Sequence, residues 1–195
     1  GVLALIVIFQ PEIRKFLIRL GNRYMSSAKG QKILSRILGK GGKGSATSSE
    51  EANDLTEACR RMSEDKTGAL IVIAHNTPLD DIISTGDRID ANIHRRLIMN
   101  LFFKNSPLHD GALVISGDRI VAARCTLPIT ERTNIPASYG MRHKAAIGIT
   151  EETDADAVVV SEETGRISFV KAGKVTPITN INELKLLLNT SLGEE

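Results

Sequence analysis

The chain is 195 residues long, enough for one hydrophobic core of ordinary size and a small appendage. Its 42% hydrophobic and 25% charged residues are those of an ordinary globular protein. With no Trp and 4% aromatics, it lacks the stacking platform that single-stranded nucleic acid requires. The net charge of +2 hides an asymmetry: residues 1–44 hold nine of the 25 Lys and Arg but one of the 23 acids, Glu12, leaving 16 basic and 22 acidic groups, a net of −6, in the remainder. Basic surface is therefore confined to the lead segment, and no nucleic-acid partner is expected.

Residues 2–9 are an unbroken apolar run, too short to cross a bilayer, which needs ~20 residues. No charged region precedes it and no cleavage site follows, so it does not read as a signal peptide. Two readings remain: a first buried element of the domain, or the end of a transmembrane helix whose earlier part precedes the sequence. The basic flank that follows favours the second, because Lys and Arg accumulate on the cytoplasmic side of membrane helices and are attracted to anionic headgroups. Residues 12–38 read as a basic helix, with apolar side chains recurring at three- and four-residue intervals and weak points at Gly21 and Gly30. Residues 39–49 are rich in Gly, Lys, Ser and Thr. They do not match a phosphate-binding loop, since no Gly-Lys-Ser/Thr closes the pattern and no strand precedes it. They read as a flexible linker.

The compact domain is expected over residues 50–190. A helix runs from Glu50 to about Glu64, capped by Ser49, with Ala52, Leu55, Cys59 and Met62 as its inward stripe. Residues 68–74 form a continuous apolar run, as in a central strand covered on both faces. Residues 92–104 read as a second helix, residues 112–126 as a hairpin about Gly117-Asp118, and residues 145–152 as a helix. Two strands, residues 157–160 and 166–170, flank a Glu-Thr-Gly turn. A further strand at 175–178 and a closing helix at 181–188 complete the chain. Hairpins and crossovers together predict an α/β (α+β) fold, a mixed β-sheet flanked by helices. Cys59 and Cys125, with no CxxC spacing, read as small core residues in a reducing compartment. His75 and His94 read as surface or loop residues.

Three clusters carry chemistry. In Ser106-Pro-Leu-His109-Asp110-Gly111-Ala112, an imidazole and a carboxylate stand side by side on a tight turn, and Gly111 admits close backbone approach. Such a pair can ligate a divalent metal or take a proton from a hydroxyl; equally, the Asp can cap a turn. In Gly140-Met-Arg142-His143-Lys144, three cationic or near-cationic residues open a helix, where they oppose the helix dipole unless an anion sits among them. A phosphate chain would resolve that conflict; a solvated basic face is the alternative. In Ser161-Glu162-Glu163-Thr164-Gly165, acids at a strand-to-turn junction are metal ligands or a polar hairpin tip.

In this order and spacing, Asp110-Gly111-Ala112 and Arg142-His143-Lys144 resemble the Asp-Gly-Ala and Arg-His-Arg motifs of the diadenylate cyclase family. The likeness spans residues 50–190 and extends to the lead segment, which is similar to the last transmembrane and juxtamembrane helices of the family's membrane-anchored branch. The resemblance implies a diadenylate cyclase fold and the condensation of two ATP into cyclic di-AMP and two pyrophosphates by a face-to-face homodimer. It implies that Asp110 activates the ribose 3′-hydroxyl, with Gly111 and Ala112 completing the motif. Arg142, His143, Lys144 and Ser161 hold phosphate, and Gly68, Ala69, Leu70 and Leu127 form the adenine pocket. His109, Asp110 and Glu163 bind a divalent metal, Mn²⁺ or Mg²⁺, with Co²⁺ a further candidate. A place on the cytoplasmic face of the cell membrane and control by an unidentified regulatory protein are also implied.

Two positions depart from the pattern. Lys144 keeps the charge of the usual Arg but loses its bidentate fork, and Met141 replaces a small hydroxyl residue. Retained activity with altered ATP affinity is expected. Two rival readings stand beside this one: a non-catalytic sensor of ATP or cyclic di-AMP, releasing no pyrophosphate, and a metal-dependent phosphohydrolase of His109, Asp110, His143 and Glu163, releasing inorganic phosphate.

Overall fold

The computed structural model describes residues 47–193, so the apolar run, the basic helix and most of the linker read from the sequence lie outside the described residues. The first described element is α1 (Thr47–Glu64). It begins before Glu50, so Ser49, expected as its cap, is a helical residue, and the last residues of the expected linker are helical too. Ala52, Leu55, Ala58, Cys59 and Met62 recur at helical spacing and are at most 2% exposed. Glu57, Arg60 and Arg61 pair along the opposite face.

β1 (Ala69–Ala74) alternates perfectly between two cores. Ala69, Ile71 and Ile73 face a layer containing α1, while Leu70 and Val72 face another. After β1 come α2 (Asp80–Ile83), β2 (Asp87–Asn92), α3 (Arg95–Leu101), β3 (Ala112–Ser116) and β4 (Arg119–Cys125). Then follow α4 (Met141–Glu152), β5 (Asp156–Val160), β6 (Ile167–Lys171), β7 (Lys174–Ile178) and α5 (Ile181–Leu192). The seven strands form one sheet in the order β2-β4-β3-β1-β5-β6-β7. Only β1 and β3 pair in parallel; every other neighbour is antiparallel. Leu55, Ile98 and Leu188, from α1, α3 and α5, pack on one face of this sheet, and Ala146 and Ile149 of α4 on the other. The mixed sheet between helical layers is the fold class expected from the sequence.

The differences have local causes. No element was expected between residues 75 and 91. There α2 is a single turn, too short to be periodic, and β2 is an edge strand with four exposed residues. A register shift between Arg88 and Ala91 interrupts its pairing with β4. Asn92, expected to start a helix, ends β2 instead, and His94 caps α3 by accepting the Arg96 N–H at 3.3 Å. The cluster at residues 142–144 lies in the first turn of α4, which starts four residues earlier than expected.

His75 lies just past β1, as the loop histidine expected, but it is not at the surface. Its side chain is 6% exposed, and its Nε2 lies 3.1 Å from Oδ2 of the fully buried Asp156. The same oxygen accepts from Ser191 Oγ at 2.8 Å and Lys171 Nζ at 3.3 Å. A buried carboxylate so partnered ties the end of β1 to β5, β6 and α5.

Gly148, in the middle of α4, has a packing reason. A Cβ there would collide with the carbonyl of Pro128 and come within 2.9 Å of Thr130 N. The helix therefore lies directly against the segment after β4, where Thr130 N also donates to the Lys144 carbonyl at 3.2 Å. Helix propensity alone predicts that Gly148→Ala stabilises by ~1 kcal/mol. The contact predicts the opposite, a loss of about 1–3 kcal/mol from overpacking. Urea unfolding decides between them, and a stabilised variant would contradict the packing described.

Candidate active site

Strand pairing brings the three chemical clusters to one end of the sheet. β1 and β3 run in the same direction with Ile71 opposite Leu113, so three residues earlier Gly68 lies level with Asp110. β5 runs oppositely, with Val160 opposite Ala69, and delivers the turn beginning at Ser161 to the same end. β4 ends there too, with Cys125 opposite Ala112, and continues into Leu127. The first turn of α4 supplies Met141, Arg142 and Ala145.

Together these segments line an open cleft of about 650 Å³, within the ~300–1,000 Å³ range usual for small-molecule sites. Leu70, Leu127, Ile129, Met141 and Ala145 are its apolar lining, and His109, Asp110, Arg124, Arg142 and Glu162 its charged or titratable lining. Arg142 Nη1 pairs with Glu162 Oε2 at 2.9 Å. The guanidinium rests on Gly68, where an added Cβ would lie 2.6 Å from Nη1. Glycine at that position leaves the space that the arginine fills.

The Asp110 turn is held from both sides. His109 Nδ1 lies 2.6 Å from the Ser106 carbonyl. A carbonyl only accepts, so Nδ1 carries the proton and the lone pair of Nε2 is left for another partner. Gly111 has φ +121°, and a Cβ on it would lie 2.8 Å from the Arg124 carbonyl carbon. Both the conformation and the close approach require glycine. Asp110 is solvent-exposed at the cleft. Cys125, also in the lining, has its thiol pushed up to about 11 by burial, and Cys59, in the core, to about 12. Both values lie above neutrality, where the thiol form is favoured.

The residues expected at the site divide accordingly. His109, Asp110, Gly111, Leu70, Leu127 and Arg142 line the cleft. Ala112 is buried behind the turn, and Ala69 faces the α1 layer rather than the cleft. Ser161 Oγ accepts the Thr164 N–H at 3.2 Å and shapes its turn. Glu162 lines the cleft, whereas Glu163 is exposed outside the lining. Lys144, half-buried, is also outside the lining. Among the described residues no three His, Cys, Asp or Glu side chains gather as a metal cluster. Arg124 and Ile129 were not foreseen. The sequence signal for Arg124 was a charge among the apolar residues that follow Arg119 in β4.

His143 turns inward from the α4 first turn. It is 6% exposed, its Nε2 lies 3.3 Å from Ser168 Oγ, and its ring stacks on Tyr139 with centroids 4.7 Å apart. Burial lowers its pKa from the ordinary 6.5. A depressed pKa means the unfolded chain takes up the proton first, so stability is full above 6.5 and falls as pH drops below it. Urea unfolding at pH 7.5 and 5.5 should show a smaller acid loss in His143→Gln than in the parent; equal losses would contradict this.

Comparison with known proteins accords with this geometry. The model of the DisA bacterial checkpoint controller nucleotide-binding (DAC) family matches residues 56–175. The chain is 38% identical over 192 residues to a diadenylate cyclase of Listeria monocytogenes, covering 96% of this chain and 65% of that protein. It is 38% identical over 178 residues to the cyclic di-AMP synthase CdaA of Bacillus subtilis, covering 89% of this chain and 59% of that one. The chain thus spans about 65% or less of these relatives' length. The crystal structure of a double mutant of DacA from Staphylococcus aureus superposes with a TM-score of 0.72 at 40% identity, covering 74% of this chain and 96% of that one. The structure of a hypothetical membrane spanning protein from Bacillus cereus superposes with a TM-score of 0.65, also at 40% identity, covering 67% of this chain and 64% of that one. With more than half of its length matched by the family model, and relatives 38% identical over most of its length, the chain belongs to the diadenylate cyclase family.

Proposed function

We propose that this chain condenses two ATP into cyclic di-AMP. The observation that carries the reading is one cleft with an apolar lining, Asp110 from the entry of β3 and Arg142 from the start of α4. Leu70 and Leu127 offer apolar surface to an adenine, with the entry of β1 at Gly68 and Ala69 supplying backbone beside it. Arg142 takes the triphosphate, competing with Glu162 for its guanidinium. Lys144 adds positive charge from the same helix turn, and Ser161 shapes the turn that carries Glu162. His143 acts from behind as a neutral, buried support for the Arg142 turn.

A single cleft of this size takes one nucleotide, and closing a ring of two requires a second. Two copies facing each other meet that need. Exposed Ile129 and Met141, 44% and 64% accessible at the cleft, are apolar surface that such a contact would cover. Each 3′-hydroxyl gives its proton to Asp110, and the oxygen attacks the α-phosphorus of the facing ATP. The bond from that phosphorus to the β-phosphate oxygen breaks, and pyrophosphate leaves. The protein supplies orientation and charge neutralisation.

A divalent cation, Mn²⁺, Mg²⁺ or Co²⁺, fits the donor set of His109 and Asp110, because His109 keeps its Nε2 lone pair while Nδ1–H is engaged by Ser106. Glu163, expected as a third ligand, is exposed on the neighbouring turn outside the cleft lining, so His109 and Asp110 are the donors we assign. When bound, the cation would neutralise phosphate charge and act as a Lewis acid.

For the whole protein we assign a homodimer at the cytoplasmic face of the cell membrane, anchored by the lead segment and subject to an unidentified regulatory protein. The basic flank in the sequence and the description of the Bacillus cereus relative as membrane spanning support the anchor. Among the described residues no helix is long and apolar enough to cross a membrane.

Incubation with ATP and Mn²⁺ or Mg²⁺, followed by chromatography, should yield cyclic di-AMP and pyrophosphate. Asp110→Asn should abolish the product while leaving the circular dichroism spectrum unchanged. Release of inorganic phosphate, nucleotide binding without pyrophosphate, or an active Asp110→Asn variant would contradict the proposal.

A further inference from the structure

Arg124 is a charged residue of the cleft without a counterpart in the family motifs, and its local geometry is unusual. Between Ala112 and Val114 the register against β4 shifts from Cys125 to Ala122, so β4 carries one extra residue there. This is a β-bulge, a device that re-aims a side chain beside a site. Arg124 occupies it with φ 57°, left-handed backbone that an L residue other than glycine adopts only at a cost. Gly111, the glycine beside Asp110, packs against the Arg124 backbone, with 2.8 Å from its Cβ position to the Arg124 carbonyl carbon. The bulge and the catalytic turn are thus built against one another.

The guanidinium is oriented but not used up. Its Nε donates to Asp87 Oδ2 at 2.8 Å, and Arg124 has no other side-chain hydrogen bond among the described residues. Asp87 raises the arginine pKa above its ordinary range, and Asp110 acts on it in the same direction through space. Arg124 and Asp87 are both about half exposed, at 49% and 48%. An exposed ion pair of this kind adds little stability, less than left-handed backbone at a non-glycine residue costs. The ion pair therefore does not account for a strained, non-glycine bulge. A cation held through Nε, with both Nη groups left over and Asp110 in the same cleft lining, has the form of an anion receptor.

We propose that Arg124 is a second phosphate-binding residue of the cleft, contacting the phosphoryl group that the oxygen activated by Asp110 attacks. Arg142 and Arg124 then serve the nucleotide from α4 and from β4. Charge on the phosphoryl oxygens and departing pyrophosphate grows in the transition state, so Arg124 should act mainly on kcat. This rests on the diadenylate cyclase reading; the unsubstituted protein in the same assay tests that reading separately.

The experiment compares Arg124→Gln, Arg124→Lys and Arg124→Gly with the unsubstituted protein. It measures kcat and KM for ATP with Mn²⁺, together with Tm. Arg124→Gln should lower kcat by about a hundredfold to a thousandfold, the range for loss of one transition-state donor. Arg124→Lys should fall between, keeping charge without the fork. Arg124→Gly should lose turnover like Arg124→Gln, yet melt at or above the parent temperature, because glycine relieves the left-handed backbone. That split between activity and stability is one a structural role would not produce. Turnover within twofold of the parent in Arg124→Gln or Arg124→Gly, or losses of turnover that follow losses of Tm, would overturn the proposal. No cyclic di-AMP from the unsubstituted protein would overturn the family-based reading of the cleft instead.

Discussion

The parallel pairing of β1 with β3 is the constraint on which the site depends. In an otherwise antiparallel sheet, this one pair makes two strands enter from the same end. Gly68 and Asp110, 42 positions apart in the sequence, come level there. Their antiparallel partners β5 and β4 then finish at that end, bringing Glu162 and Leu127 with them. A one-residue slip in this register would invert every side chain of a strand. The two cores resist it, since Ile71 and Leu70 are buried on opposite faces at 0% and 3% exposure. Burial of ordinary aliphatic residues thus fixes the relative position of the charged groups.

Each of the two arginines in the cleft is held by a carboxylate. Arg142 is paired with Glu162 over Gly68, and Arg124 with Asp87 beside Asp110. Pairing keeps each guanidinium directed without burying an unpartnered charge. A triphosphate carries more negative charge than either single carboxylate and can compete for the same donors. Behind the cleft, neutral and apolar contacts supply rigidity: Tyr139 stacks on His143, and Gly148 lets α4 press against the Pro128 backbone. The charged groups of the cleft are therefore at least partly exposed, while their support is buried.

Much of this was legible in the sequence because periodicity reports burial. The continuous apolar run of β1, the hairpin at Gly117 and the stripe of α1 each follow from it. The Asp110 and Arg142 clusters were visible as residue types that have no place in a core. What could not be read arises from tertiary contact. β2 is a polar edge strand, and α2 is one turn long, so neither leaves a period. The burial of His75 could not be read because its partner Asp156 is 81 positions away. His143 and Arg142 look equivalent in a basic triplet, yet adjacent positions on a helix point about 100° apart, and one is buried while the other lines the cleft. Arg124 depended on a bulge, which has no sequence signature unless glycine occupies it.

The central claim is that each cleft holds half of a reaction and that two copies must face each other to complete it. Specific activity as a function of protein concentration, with sedimentation equilibrium on the same samples, tests this most directly. The account predicts that cyclic di-AMP formed per protomer rises with concentration and levels off as the dimer saturates, with activity following the dimer fraction. Constant specific activity down to concentrations at which the protein sediments as a monomer would contradict it.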